Sequence, residues 1–153
     1  MMITAGNQVL IDTNVLIYST VETSSFLAHS QNALRLLLER NNILWINRQI
    51  IREYLVVKSR LMLENKCYDE TQLLTELNYL QTNFRVANDE SNTTFILADL
   101  IKKYKIAGKQ IHDANLIATC LAKKINGILT NNTSHFRRFI PEGISIIPIL
   151  PEA

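Results

Sequence analysis

Short runs of β-favouring apolar residues alternate along the chain with longer segments whose apolar positions recur every three or four residues. The first short run, Val9-Leu10-Ile11, stops abruptly at the polar triplet Asp12-Thr13-Asn14. Such a run closed by a polar cluster suits a strand buried on both faces, although periodicity alone leaves a buried helix open. Val15 to Thr20 reads as a short helix, and Ser24-Ser25 offers cap residues for a longer one from about Phe26 to Arg40. Phe26, Ala33, Leu34, Leu37 and Leu38 form its apolar stripe. Ile43 to Ile46 reads as a second strand, with the single tryptophan, Trp45, expected in the core. A helix from about Arg48 to Leu63 follows, in which Glu53 shares a face with Ile50 and Val57. A carboxylate on an apolar face needs a partner, a metal or an opening to solvent.

Tyr68 to Thr71 begins another helix, with Leu73, Leu77, Leu80 and Phe84 at helical spacing. Arg85 to Ala87 reads as a short strand. Glu90 to Asn92 leads into a helix whose Ile96, Leu97, Leu100, Ile101 and Tyr104 face inward. After a break at Lys105 to Lys109, a helix from about Ile111 to Ile125 is apolar on several sides, which implies deep packing. Asn126-Gly127 reads as a turn and Ile128 to Thr130 as a strand, ended by the polar cluster Asn131 to His135. Ile144 to Leu150 is a last strand, and Pro148 places it at an edge. This alternation predicts a three-layer α/β domain with a largely parallel sheet, one domain spanning residues 1–153.

At 153 residues the chain can bury roughly 70% of its unfolded surface, so no disulfide or metal staple is required. Cys67 and Cys120 are lone thiols without zinc-site spacing. The net charge of +2 is compatible with nucleic acid without pointing to it. Met1 to Gln8 holds no positive residue followed by an apolar core, and no apolar run approaches the ~18 residues of a membrane span. A cytoplasmic protein with no membrane contact is expected.

Three acids fall where a strand end or an apolar helix face is expected: Asp12, Glu53 and Asp113. Each has a plain structural reading. Asp12 suits a helix cap, and Asp113 suits the first turn of a helix, where free N–H groups favour an acid. Gathered at the carboxyl edge of a sheet, the three would repel one another unless a hard divalent cation neutralised them, and Mg²⁺ or Mn²⁺ suits all-oxygen ligation. Arg48, Arg52, Lys109 and Arg137 lie near these positions in sequence, as do Lys102, Lys103, Lys105 and Arg138. They could hold a phosphate backbone or form solvated helix faces.

The ordered set of Asp12-Thr13-Asn14-Val15-Leu16-Ile17-Tyr18, Glu53, His112-Asp113-Ala114, Thr130-Asn131-Asn132 and His135-Phe136 resembles the PIN-domain ribonucleases. Within that family it is most similar to the VapC-like toxins of bacterial toxin–antitoxin systems. The resemblance covers nearly the whole chain. It implies a PIN fold, a homodimer, RNA cleavage with Mg²⁺ or Mn²⁺, and a cognate antitoxin protein. By it, Asp12, Glu53 and Asp113 are the acidic site residues, with Asp12 and Asp113 holding the metal. Glu53 would bind through water or act as base, and Asn14, Thr130 and Asn132 would support the site.

One position departs from the family pattern. Many members carry a fourth acid where this chain has Asn132, a neutral oxygen ligand at best. His135 is expected to orient a neighbour or face solvent instead of binding metal, and His112 either touches a phosphate or simply begins a helix. A haloacid-dehalogenase phosphatase would need an aspartate at Asn14, and a receiver domain would need paired acids before its first helix. The rival that remains is a PIN-like module, catalytically weakened at Asn132, that binds RNA or a protein partner.

Overall fold

Gln8–Ile11 forms β1, followed by α1 (Thr13–Tyr18), α2 (Leu27–Glu39), β2 (Ile43–Asn47), α3 (Arg48–Glu64) and α4 (Glu70–Asn83). β3 (Arg85–Ala87), α5 (Ser91–Tyr104), α6 (Gln110–Lys123), β4 (Gly127–Thr130), α7 (Thr133–Phe136), a 3-10 helix (Arg137–Glu142) and β5 (Ser145–Pro148) complete the order. The computed structural model describes residues 6–150. The first five residues of the stretch read above for a leader lie outside the described residues.

All the strands pair in parallel, in the order β3-β2-β1-β4-β5. From β1 the chain moves outward to β2 and β3, then returns across β1 to add β4 and β5. Parallel crossovers are right-handed, so the two directions of travel place their helices on opposite faces. One layer therefore holds α1 to α4 and the other α5, α6 and α7, as the three-layer expectation requires. The direction of winding changes between β1 and β4, the point where open α/β sheets form a ligand crevice.

The core runs continuously through both layers. Leu10, Ile11, Ile46 and Ile128 of the sheet are fully buried, with Ile50, Leu37, Leu116 and Ile117 from the helices. α6 carries the deep packing expected of it, with Ala114 and Leu116 to Cys120 all buried. β5 pairs only with β4, the edge position that Pro148 required.

Three readings shift. Leu38 is 59% exposed, because Ser30, Ala33 and Leu37 are the residues α2 buries and Leu38 lies a further step round the helix. Trp45 is only half-buried. Its indole N–H donates to Gln8 Oε1 at 2.8 Å, and the Arg85 guanidinium lies 5.8 Å from its ring centroid. Gly127 begins β4 instead of forming a turn, and Lys124 supplies the left-handed residue (φ 57°) that ends α6. At Gly127 a Cβ would stand 3.1 Å from Ile147 Cδ1 and 3.2 Å from Ser145 O, so the glycine admits the close approach of β5. The short α7 and the 3-10 helix after it had no periodic signal in a segment so short.

Candidate active site

β1 ends at Asp12, whose backbone N–H continues the ladder to Leu129 O at 3.0 Å. Asp12 is the cap of α1, accepting from Thr13 N at 2.7 Å. Its other oxygen accepts from Thr130 Oγ1 at 2.7 Å and from Asn14 Nδ2 at 3.1 Å. The loop after β4 is locked to the same point: Asn131 N donates to Asn14 Oδ1 at 3.1 Å, and Asn132 N to Thr130 Oγ1 at 3.0 Å. Asn14 and Thr130 thus both hold Asp12, the same side chain that caps α1.

Glu53 enters from α3, half-buried, with both oxygens occupied. Thr13 Oγ1 donates to Oε2 at 2.8 Å and Gln49 Nε2 to Oε1 at 2.7 Å. Asp113 sits in the first turn of α6, half-buried, with His135 Nδ1 3.4 Å from its Oδ2. His135 therefore stands beside Asp113. All three acids line one cavity of about 610 Å³, together with Asn132, Arg52 and Lys109. Ile17, Tyr18, Val56 and Val57 supply its apolar wall.

Asp12 and Asp113 are pushed toward their protonated forms, chiefly by burial. Burial pushes the Asp12 carboxyl up to about 6; the hydrogen bonds from Thr130 and Thr13 oppose the rise, and the charges of Asp113 and Glu53 add to it. Burial also raises Asp113, with His135 opposing and Glu53 reinforcing the shift. Elementary electrostatics then asks for positive charge in the cavity.

The basic residues divide. Arg52 and Lys109 line the cavity, Arg52 also standing 4.0 Å from Asp89. Arg48 is turned away, its guanidinium donating to Asn88 Oδ1 at 3.0 Å and Gln81 Oε1 at 3.2 Å. Arg137 is exposed at the start of the 3-10 helix and does not line the cavity. Its neighbour Arg138 is the one whose charge acts on Asp113. Lys103 is committed to Glu142 at 2.7 Å.

A family model described as PIN domain matches residues 8–134. The chain belongs to the PIN-domain family. No curated protein matches it in sequence. Solved structures do match in fold. VapBC2 of Rickettsia felis bound to a promoter DNA fragment is 18% identical, with a TM-score of 0.66 over 92% of this chain and 98% of that one. A toxin–antitoxin complex from Klebsiella pneumoniae is 21% identical, with a TM-score of 0.62 over 89% and 94% of the two chains. VapC20 of Mycobacterium tuberculosis, described as a sarcin–ricin loop cleaving toxin, is 13% identical, with a TM-score of 0.59 over 78% and 86%.

Besides the His135 imidazole, the donors of this PIN domain's cavity are carboxylate, hydroxyl and amide oxygens, which suit a hard cation. Among the described residues no three His, Cys, Asp or Glu side chains gather closely enough to enclose an ion by themselves. Two carboxylates completed by water and substrate oxygens are the ligation Mg²⁺ ordinarily takes, so the residues fit. Asn132 is exposed at the cavity and caps α7 without a side-chain hydrogen bond. Sequence reading missed the Thr13 hydroxyl and Gln49. A signal for Gln49 was available, since it precedes Glu53 by four residues and so shares its helix face.

Proposed function

We propose that this PIN domain is a Mg²⁺- or Mn²⁺-dependent endoribonuclease, the toxin of a toxin–antitoxin pair. The observation that carries the reading is one cavity shared by Asp12, Glu53 and Asp113 with the cations Arg52 and Lys109. Family membership supports a nuclease, and the neighbour described as a sarcin–ricin loop cleaving toxin supports RNA as the substrate.

A bound divalent cation would supply Lewis acidity, acidifying water and taking up charge on phosphoryl oxygens. Asp12 and Asp113 would hold it. The three donors on Asp12 fix the plane of its carboxylate and occupy Oδ2 twice, so the lone-pair site left on Oδ1 would take the cation. Glu53, held on both oxygens, would orient the attacking water and accept its proton. Lys109 and Arg52 would bind flanking phosphates, giving salt-dependent affinity without sequence selectivity.

The neighbour that is a toxin–antitoxin complex supports a protein partner that blocks the site. A second groove of about 470 Å³ offers it a seat, lined by Leu16, Leu34, Leu38, Leu80 and Phe84 across α1, α2 and α4. An amphipathic helix laid in such a groove is a recurring mode of recognition. A homodimer belongs to the same reading, and light scattering on the purified protein tests it.

RNA cleavage should stop in EDTA and return with Mg²⁺ or Mn²⁺, and Asp12→Asn or Asp113→Asn should abolish it. Cleavage by the double variant at the wild-type rate would overturn the proposal. The neutral Asn132 at the cavity favours one second reading, a PIN module that binds RNA without cutting it. RNA retention by the wild type with no cleavage under any divalent cation would select that reading.

A further inference from the structure

Gln49 is 6% exposed, and both hydrogens of its amide are committed. Nε2 donates to Glu53 Oε1 at 2.7 Å and to the backbone carbonyl of His112 at 3.2 Å. Its Oε1 accepts from Asn115 Nδ2 at 2.8 Å. Glu53 belongs to α3 and His112 to α6, so one neutral side chain joins an acid from one helical layer to the backbone of the other. His112 is the residue immediately before Asp113.

We propose that Gln49 is a positioning residue that sets the separation of the Glu53 and Asp113 carboxylates, with Asn115 fixing the direction in which its amide points. The assignment rests on the nuclease reading above.

Two like charges on elements from different layers drift apart unless something ties the elements together. A cationic tie would neutralise the acids and compete with a metal ion; an amide holds the spacing and leaves their charge intact. The amide must also face one way. Rotated by half a turn, Gln49 Oε1 would confront the Glu53 carboxylate and the His112 carbonyl, acceptor against acceptor, while its N–H groups met those of Asn115. α6 is held to α3 at a second point: Asn47 Nδ2 donates to Thr119 Oγ1 at 3.0 Å, and that hydroxyl donates to the backbone carbonyl of Asn115 at 2.9 Å. The start of α3 is thus joined to α6 twice, through Asn47 to Thr119 and through Gln49 to His112 and Asn115.

The test compares wild type, Gln49→Met and Asn115→Ala on one RNA substrate with saturating Mn²⁺. Gln49→Met keeps the length of the side chain and removes its hydrogen bonds. Misplacing a reacting group by about 1 Å can cost roughly 100-fold in rate. A fall in kcat of about ten- to a hundredfold is expected for Gln49→Met, with KM within about twofold of wild type. Asn115→Ala, which touches neither acid, should lower kcat by about three- to tenfold in the same pattern, and it carries the test alone if Gln49→Met does not fold. A folded Gln49→Met with wild-type kcat, or a loss confined to KM, would overturn the assignment. Crystal structures of the variants provide the readout that does not depend on activity: the Glu53 carboxylate should be displaced, changing its separation from that of Asp113. If wild type cleaves no RNA, the nuclease reading fails, and Gln49 is judged on the crystal structures alone. Glu53 unmoved in them would overturn its role; Glu53 displaced would uphold it.

Discussion

Asp12 is 8% exposed, and its carboxyl is pushed up to about 6, chiefly by that burial. In the unfolded chain the same group titrates near 3.8. The native state therefore holds the proton more tightly. Stability of the metal-free protein falls as pH rises from about 4 to 6, and the full penalty persists above that window. At about 1.4 kcal/mol per pH unit the penalty is on the order of 3 kcal/mol. Asp12→Asn removes it while disturbing the hydrogen bonds from Thr13, Asn14 and Thr130. In EDTA at neutral pH the variant should melt at the wild-type temperature or several degrees above it, and its pH dependence between about 4 and 6 should flatten. Calorimetric melts across that range check this; a lower melting temperature at neutral pH would show that the hydrogen bonds outweigh desolvation. Asn132 stands at the same cavity, exposed and without a side-chain hydrogen bond. A charge placed there is partly screened, so Asn132→Asp should tighten Mn²⁺ binding by about three- to tenfold by titration calorimetry. Asn132→Ala should cost far less activity than Asp12→Asn. If it is instead as inactive as Asp12→Asn, the amide is holding substrate and is not a weakened ligand.

Among the elements, the start of α3 carries the most structural consequence, because it aims both Gln49 and Glu53. Asn47 ends β2, and its Oδ1 caps α3 by accepting from Ile50 N at 2.8 Å. The same side chain donates to Thr119 on α6 and is 1% exposed. Loss of a cap costs about 1 kcal/mol, and loss of a buried side-chain hydrogen bond adds about as much again. Asn47→Ala should therefore destabilise the protein by about 2 kcal/mol, a drop of roughly 4–8 °C in Tm. Thermal denaturation followed by circular dichroism measures it. No change in Tm would mean that water replaces both contacts.

For the whole molecule, the acidic cavity and the apolar groove open on either side of α1, whose Ile17 and Tyr18 line the first and whose Leu16 lines the second. A protein seated in the groove would lie close to the acids. Leu38 projects into that groove and is 59% exposed, so replacing it disturbs no core. Leu38→Lys should release a partner protein that co-purifies with wild type from the native host, while RNA cleavage by the freed protein stays unchanged. Co-purification unaltered by the substitution would place the partner elsewhere.

The sequence by itself determined the strands, the longer helices, the parallel sheet and the family. Val9 to Ile11 and Ile128 to Thr130 are short apolar runs closed by polar clusters, and the helices between carry stripes that need two layers to bury them. These are local signals, carried by adjacent residues. It also marked Asp12, Glu53 and Asp113, because an acid on an apolar face or at a strand end stands out against its neighbours. Which cations face those acids was decided only by tertiary structure. Arg48 and Arg52 lie four residues apart on one face of α3, yet Arg48, at the helix start, reaches Asn88 and Gln81 across the chain while Arg52, one turn on, lines the cavity. The spacing of Gln49 to Glu53 is local, but its other partners, His112 and Asn115, are more than sixty residues away in sequence and meet it only where α3 meets α6. Long-range hydrogen bonds between neutral side chains leave no period and no charge pattern in a sequence, and they form only once the sheet has brought the two helix starts to one edge.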